Sequence, residues 1–447
     1  MIRFDVHAAA RQLGCETRGN SCEFEGVAID SRRLRPGELF VALQGEYEDG
    51  HQYVEAAAAK GAAAALVSTW QETDLPQILS PEPVTALGQL AGAWRNQCDA
   101  RVVGITGSNG KTTVKGMLAS IVDDPEQYLA TEGNFNNEIG LPLTLCRLNK
   151  DHRIAILEMG ASKPGDIAYL SNLARPQSGL ITNAGSAHLQ GMDSVDGVAR
   201  VKGELIEALP ADGVVILNAD DDCFGLWREL AGDREILTFG LNQKASLGGN
   251  YQSRPDGCLL EIGTENESVR LRLRARGRHN AANALAAAAT AMTLGFDLDQ
   301  ISKGLEGFEP VAGRLSSRAM PAGWVLVEDS YNANPASLRA GLATLAEQGG
   351  ERWLVLGDMA ELGPDSAAIH FQSGAEARRL GVERLFCTGE MSRHAVSGFG
   401  ADGEFFDSSK ALVQRFRTDV HAGVICLVKG SRSMRMEKVA AAMAAGQ

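Results

Sequence analysis

The sequence predicts a three-domain α/β protein, and three observations predict it. The chain has 447 residues, which at roughly 150 residues per domain corresponds to about three domains. From Arg101 onward, short continuous apolar runs alternate with helix-length segments, the pattern of parallel strands covered on both faces. One of those runs feeds a glycine-rich turn that opens a helix, Gly104-Ile105-Thr106-Gly107-Ser108-Asn109-Gly110-Lys111-Thr112-Thr113.

Taken in order, residues 1 to about 80 mix short strand signals with an alanine-rich stretch, Val54 to Leu66. A proline-containing segment from Leu75-Pro76 to Pro81-Glu82-Pro83 reads as a linker, which sets a first domain at 1–82. In the second, 83–312, the strands are VVGIT (102–106), RIAILEM (153–159), GLIT (179–182) and GVVIL (213–217), in a mostly parallel sheet. Asn280 to Phe296 is alanine-rich and holds two asparagines, so it reads as a packed helix and not a membrane span. A boundary near Pro310-Val311-Ala312-Gly313 opens the third domain, 313–447. There the alternation restarts with WVLVED (324–329), RWLVLG (352–357), RLFCTG (384–389) and VICLVKG (424–430).

The composition, 44% hydrophobic and 22% charged, is that of a soluble globular protein. Lys and Arg total 43 against 56 Asp and Glu, a net charge of −13. That balance argues against nucleic acid or an anionic membrane as a partner. The eight cysteines form no CxxC pair, as expected of thiols in a reducing compartment. The N-terminus, MIRFDVHAAARQLG, lacks the apolar core of a signal peptide, so a cytoplasmic location is expected.

The glycine-rich turn has the chemistry of a phosphate loop. Gly107 and Gly110 let the backbone N–H groups of Ser108, Asn109 and Thr113 curl around phosphates at a helix N-terminus. Lys111 can reach the β/γ phosphates, and the Thr112 hydroxyl can bind Mg²⁺. The first glycine lies one residue early relative to the strict G-x₄-G-K-[ST] spacing. Asn149-Lys150-Asp151-His152 has His where a guanine-reading tetrad needs Asp, which argues against GTP switching. No G-x-G-x-x-G is present, which argues against a dinucleotide dehydrogenase. Glu158 ends the strand RIAILEM and His188 follows the next strand, so both reach the sheet edge where ligands bind and are candidates for Mg²⁺.

GITGSNGKTT, LEMGAS, ITNAGSAHL, GVARVKGEL, LNADDD (217–222), GRHNAANALAA (277–287), PVAGR (310–314) and DSYNANPAS (329–337) occur in the order found in the Mur ligase family, which the chain resembles along essentially its whole length. TEGNFNNEIGLPLTL (131–145), DSYNANP, LGDMAELG (356–363) and LVKGSRSMRME (427–437) resemble the family member that adds D-alanyl-D-alanine. The resemblance implies a first domain that binds a UDP-sugar peptide, a central ATPase and a Rossmann-like third domain that closes over the site. It also implies the reaction. ATP phosphorylates the terminal carboxylate of UDP-N-acetylmuramoyl-tripeptide, and the amine of D-alanyl-D-alanine attacks the acyl phosphate. No enzyme nucleophile is required, so catalysis is positioning and charge stabilisation.

By the same resemblance, Lys111 holds ATP phosphates, Thr112 and Glu158 ligate a first Mg²⁺, and His188 a second. Lys202 is carbamoylated, which makes it an anionic oxygen donor. Asn280 and Asn283, with His279 beside them, contact adenine or nearby nucleotide atoms. Arg314 meets the phosphates and Asp329 the ribose or phosphate side. Ser31 and Arg32, with His51, contact the uridine diphosphate, and Asn136 and Asn137 face the sugar-peptide. Asn332, Asn334, Ser431 and Arg432 lie near the dipeptide or nucleotide. An arginine suits the dipeptide carboxylate, and the sequence does not single one out. A monomer is expected. Glu328 stands where the family often has a second Asp, which keeps the charge. The DNPR tetrapeptide of the diaminopimelate-adding relative is absent, which favours the dipeptide-adding step. The alternatives are another Mur-type amino-acid ligase and folylpolyglutamate synthase. In the latter the phosphate loop comes near the N-terminus, whereas here about 100 residues precede it.

Overall fold

The computed structural model describes residues 1–45, 47–185, 189–192, 194–254, 256–310 and 313–445. Three sheets follow one another along the chain. The first has five strands in the order Glu16–Arg18, Gln77–Leu79, Ala64–Val67, Leu39–Val41, Val27–Ala28. A two-stranded pair, Arg3–Asp5 with Glu23–Glu25, lies beside it.

The linker expected at 75–83 is corrected here. Its middle is the strand Gln77–Leu79, paired with Ala64–Val67 on one side and Glu16–Arg18 on the other. The prolines sit at its margins. Pro76 precedes the strand, and Pro83 opens the helix Pro83–Arg95 at a position whose N–H would have no partner anyway.

The central sheet has nine strands in the order Ser268–Leu273, Gly257–Gly263, Leu247–Arg254, Glu235–Gly240, Val214–Asn218, Ser178–Ile181, Arg101–Thr106, Ile154–Glu158, Tyr128–Ala130. Pairing is parallel except at the Leu247–Arg254, Gly257–Gly263 and Ser268–Leu273 edge, which is antiparallel. The buried strands are apolar throughout. Val103, Ile105, Ile156, Leu180 and Ile216 pack against Val114 and Leu118 of the helix Lys111–Val122 and against Ala284, Leu285 and Ala288 of the helix Arg278–Thr293. That alanine-rich helix is enclosed between sheet and neighbouring helices, which is why small side chains suit it. After Arg101–Thr106 the chain adds strands on one side, then from Ser178–Ile181 on the other. The strand order therefore reverses at the phosphate loop, where open α/β sheets form a ligand crevice.

The third sheet runs Ser316–Ala319, Val325–Asp329, Val424–Lys429, Glu351–Gly357, Arg384–Thr388, Gly403–Phe406, parallel after its first pair. Its helix Pro335–Ala346 starts on a capping box between Asn334 and Ser337, with Pro335 at the first position. All eight cysteines are free thiols. Among the described residues no helix is long and apolar enough to cross a membrane.

Candidate active site

The strand Arg101–Thr106 delivers the loop to the carboxyl edge of the central sheet, and the residues after the next strand hold it there. Asn109 N–H donates to Asn183 Oδ1 at 2.9 Å, and Thr182 Oγ1 donates to Asn109 O at 2.6 Å. Ser108 Oγ accepts from Gly185 N–H at 3.0 Å. Two positions require glycine. At Gly107, φ 145°, a Cβ would lie 1.9 Å from Thr182 Oγ1, and at Gly110, φ 87°, it would lie 2.4 Å from Asn283 Oδ1. Lys111 Nζ folds back onto Gly107 O at 2.5 Å. Burial pushes its ammonium below the ordinary lysine range, with Glu158 opposing and Arg314 adding to the shift.

Glu158 is 2% exposed and has a partner on each oxygen. Thr112 Oγ1 donates to Oε2 at 2.9 Å and Asn136 Nδ2 to Oε1 at 2.7 Å. Lys115 Nζ lies 3.4 Å from Oε2. Arg314 reaches across from the third sheet's side, and its Nη2 donates to Thr112 Oγ1 at 2.9 Å. Thr112 Oγ1 and Glu158 Oε2 thus form an oxygen pair already faced by two cationic groups. That donor set fits a magnesium ion whose remaining ligands are phosphates and water. Among the described residues no cluster of three or more His, Cys, Asp or Glu could hold a metal by itself.

A cleft of about 760 Å³ opens over this pair. Of the sequence-predicted residues, Ser108 to Thr113, Asn136, Asn137, Glu158, Asn280, Asn283, Arg314, Asp329, Asn332, Asn334 and Arg432 line it. Asn283 Nδ2 donates to Asn280 Oδ1 at 3.1 Å, so the two asparagines form one unit on a helix face. His279 also lines the cleft, and its ring is pushed down to about 4 by burial, with Asp329 opposing and Lys429 adding to the shift. Asn334 closes the gap between units, its Nδ2 donating to Asn109 Oδ1 at 2.9 Å while its Oδ1 caps the helix Pro335–Ala346.

Other candidates lie elsewhere. Lys202, on the helix Val195–Glu207, is 1% exposed and outside the cleft lining. Burial first, then the charge of Lys111, pushes its amine down to about 7 against Asp166 and Glu204. Ser431 is buried, with its N–H on Asp358 O at 2.9 Å. Ser31, Arg32 and His51 sit in the N-terminal unit, away from the cleft lining. Arg32 is exposed and forks onto Asp30 at 2.9 Å, which holds that carboxyl down at about 2. His51 is buried, hydrogen-bonded through Nδ1 to Asp49 Oδ1 at 2.6 Å, and accepts at Nε2 from Ser68 N–H at 2.9 Å. His188 lies outside the described residues. Asn149-Lys150-Asp151-His152 is a turn, Asn149 Oδ1 accepting from Asp151 and His152 N–H groups at 3.0 and 2.9 Å.

The sequence reading missed Thr182, Asn183, Lys115, Tyr331 and Lys429. Tyr331 has the Arg314 guanidinium 4.2 Å and the Arg432 guanidinium 5.7 Å from its ring centroid. Lys429, 1% exposed, pairs with Asp329 and donates to Asn332 O at 3.1 Å. The signal for Thr182 and Asn183 was their place directly after a buried strand. A buried lysine carries no comparable signal.

An anion cradle at a sheet switch point, a carboxylate beside its threonine and an arginine brought in by a second α/β unit together define a phosphate-loop nucleotide enzyme of the kind that works between domains. Family models match in three stretches: "Mur ligase family, catalytic domain" over 23–94, "Mur ligase middle domain" over 105–291 and "Mur ligase, glutamate ligase domain" over 313–432. The chain belongs to the Mur ligase family. It is 42% identical, over 99% of both chains, to the UDP-N-acetylmuramoyl-tripeptide–D-alanyl-D-alanine ligase of Escherichia coli strain K12. A MurF crystal structure from Acinetobacter baumannii superposes with TM-score 0.93 at 31% identity over 99% of each chain. The Thermotoga maritima MurF ligase in complex with ADP superposes with TM-score 0.85 at 27% identity, covering 94% of this chain and 97% of that one.

Proposed function

We propose that the protein is an ATP-dependent ligase that joins D-alanyl-D-alanine to UDP-N-acetylmuramoyl-tripeptide in cytoplasmic peptidoglycan precursor synthesis. The observation that carries this reading is the 42% identity over 99% of both chains to the Escherichia coli ligase of that name. In this reading residues 1–82 bind the UDP-sugar peptide, through Ser31, Arg32 and His51. Residues 83–312 bind ATP, and 313–447 close over it.

The phosphate loop and Lys111 hold the ATP phosphates, Arg314 takes up charge on the transferred group, and Asp329 meets the ribose or phosphate side. Asn280 and Asn283 face the nucleotide, and Asn136 and Asn137 the sugar-peptide. The γ-phosphoryl group passes to the peptide's terminal carboxylate. The dipeptide amine attacks the resulting acyl phosphate, and the tetrahedral intermediate collapses to the amide and phosphate. Asn332, Asn334, Ser431 and Arg432 lie near the dipeptide or the nucleotide. Thr112 and Glu158 would hold Mg²⁺, which supplies charge neutralisation on the phosphates, and His188 a second ion. Lys202 would join them as a carbamate. Its support is an amine pushed down to about 7 by burial, because only the neutral amine adds CO₂, with loss of a proton.

The test is phosphate release against a panel of acceptors. Full turnover is expected only with ATP, UDP-N-acetylmuramoyl-tripeptide and D-alanyl-D-alanine together. Strong turnover with a folate and glutamate, or with a single amino acid on a shorter UDP-peptide, overturns the assignment. For the carbamate, Lys202→Ala is expected to regain part of its activity with added short carboxylic acids. No rescue, with an unmodified lysine by mass in the wild type, removes it.

A further inference from the structure

Lys115 is a buried cation that the nucleotide chemistry leaves without a task. It lies one turn beyond Lys111 on the helix Lys111–Val122 and is 7% exposed. Its ammonium meets three acceptors on two other segments. It donates to Thr131 O at 2.6 Å and Gly133 O at 3.1 Å, and lies 3.4 Å from Glu158 Oε2. Thr131 and Gly133 begin the stretch that carries Asn134, Asn136, Asn137 and Glu138 into the cleft wall.

From Glu132 to Phe135 this stretch is exposed, and its backbone turns through Gly133 at φ 51°. Its side chains are tied by Glu132 to Arg147 at 2.7 Å, by Asn136 Nδ2 to Glu158 Oε1 at 2.7 Å and by Thr131 Oγ1 to Glu158 N–H at 3.0 Å. Its backbone is tied at its two ends. Thr131 N–H donates to Ile156 O at 3.0 Å, and Gly160 N–H donates to Asn136 O at 2.8 Å. Between them, the described contact from the phosphate-loop helix is Lys115. Burying an ammonium is costly unless its donors are matched, and here Thr131 O, Gly133 O and Glu158 Oε2 face them. An apolar residue of similar length would fill the space and leave both carbonyls without this partner.

We infer that Lys115 is a positioning residue for the acceptor substrate. It fastens the wall 131–138 to the phosphate-loop helix, so that the sugar-peptide's carboxylate is presented in register with the phosphates. The inference rests on the proposed function, in which Asn136 and Asn137 face that substrate. It acts through the wall and not through the nucleotide.

The experiment uses the full-length protein and its Lys115→Met and Lys115→Gln variants. Gln keeps amide donors for the carbonyls and drops the charge. In Lys115→Met, amide hydrogen exchange over 131–138 is expected to speed up, and KM for UDP-N-acetylmuramoyl-tripeptide to rise, each by about tenfold or more. ADP affinity measured by calorimetry is expected to stay within about twofold, a change too small to signal a lost charged hydrogen bond. Lys115→Gln is expected to recover most of both losses. Unchanged exchange over 131–138 in Lys115→Met overturns the inference, as does a parallel loss of ADP and sugar-peptide binding. So does a Gln variant as impaired for the sugar-peptide as a Met variant, because charge balance at Glu158 would then be the role. If Lys115→Met fails to fold, near-wild-type exchange over 131–138 and KM in Lys115→Gln support the inference, and a KM raised about tenfold there overturns it. Absence of wild-type turnover with the sugar-peptide would count against the proposed function, while the exchange pattern still decides whether Lys115 fastens the wall.

Discussion

Lys202 gains little by being charged where it is. It is 1% exposed, and its folded-state pKa of about 7 lies below the ordinary 10.5. Between those values the unfolded chain binds a proton that the folded chain does not, so stability rises with pH through this window and is lost as pH falls toward 7. The slope is at most about 1.4 kcal/mol per pH unit. In CO₂-free buffer, denaturant titrations of wild type and Lys202→Met are therefore expected to diverge between about pH 7 and 9.5, the wild type gaining with pH. Parallel curves would remove the depressed amine. Lys111 makes a different prediction at this scale. Its Nζ is held at the loop by Gly107 O and lacks any carboxylate within ion-pair distance among the described residues, so its charge is available to phosphates. Lys111→Ala should lower phosphate release by about 10²-fold or more and leave the fold intact by circular dichroism. Wild-type rates in that variant would exclude the phosphate role.

At the scale of elements, Asn334 holds two structures at once. Its Oδ1 caps the helix Pro335–Ala346 and its Nδ2 bonds the phosphate loop. Asn334→Ala should cost about 1 kcal/mol through the cap alone, read as a lower denaturation midpoint. Asn334→Asp keeps the cap and loses the amide donor, so it should restore stability without restoring nucleotide affinity. Gly110→Ala combines a left-handed φ of 87° with a clash on Asn283, and should weaken ADP binding; calorimetry checks it.

The elements also show what the sequence could tell. VVGIT, RIAILEM, GLIT and GVVIL were legible because a parallel strand buried on both faces is apolar at every position. Gln77–Leu79 was hidden by prolines that border it without entering it. Leu247–Arg254 was hidden because LGGNYQSR, at the antiparallel edge, is largely polar and exposed toward its end. Within the site, the loop announces itself by its glycine spacing and Glu158 by its place at a strand end, whereas Asn280 and Asn283 stand out only through the family resemblance. Lys115 and Lys429 do not, since a lysine in a sequence reads as surface until its burial is known.

For the whole molecule, the net charge of −13 is set against anionic substrates. Bulk charge works against their approach, so in the proposed function capture would rest on short-range groups that line one cleft, Lys111, Arg314, Arg432 and the loop's N–H groups. Salt screens the bulk repulsion beyond about 8 Å at physiological strength while affecting buried contacts less. The second-order rate with the UDP-peptide is therefore expected to stay flat or rise from low salt to about 0.15 M. A steep fall would mean that a local positive field steers binding after all.

The third sheet has one more consequence, for biosynthesis. Its last strand, Val424–Lys429, is inserted between Val325–Asp329 and Glu351–Gly357, which end roughly 95 and 67 residues before it begins. Until it arrives, those two strands present open edges and Asp329 lacks the lysine that pairs with it. A nascent or prematurely terminated chain can thus carry a complete phosphate loop without the wall that brings Arg432 and Lys429 to the cleft. The order of synthesis completes the cleft only after nearly everything else in the chain has been made.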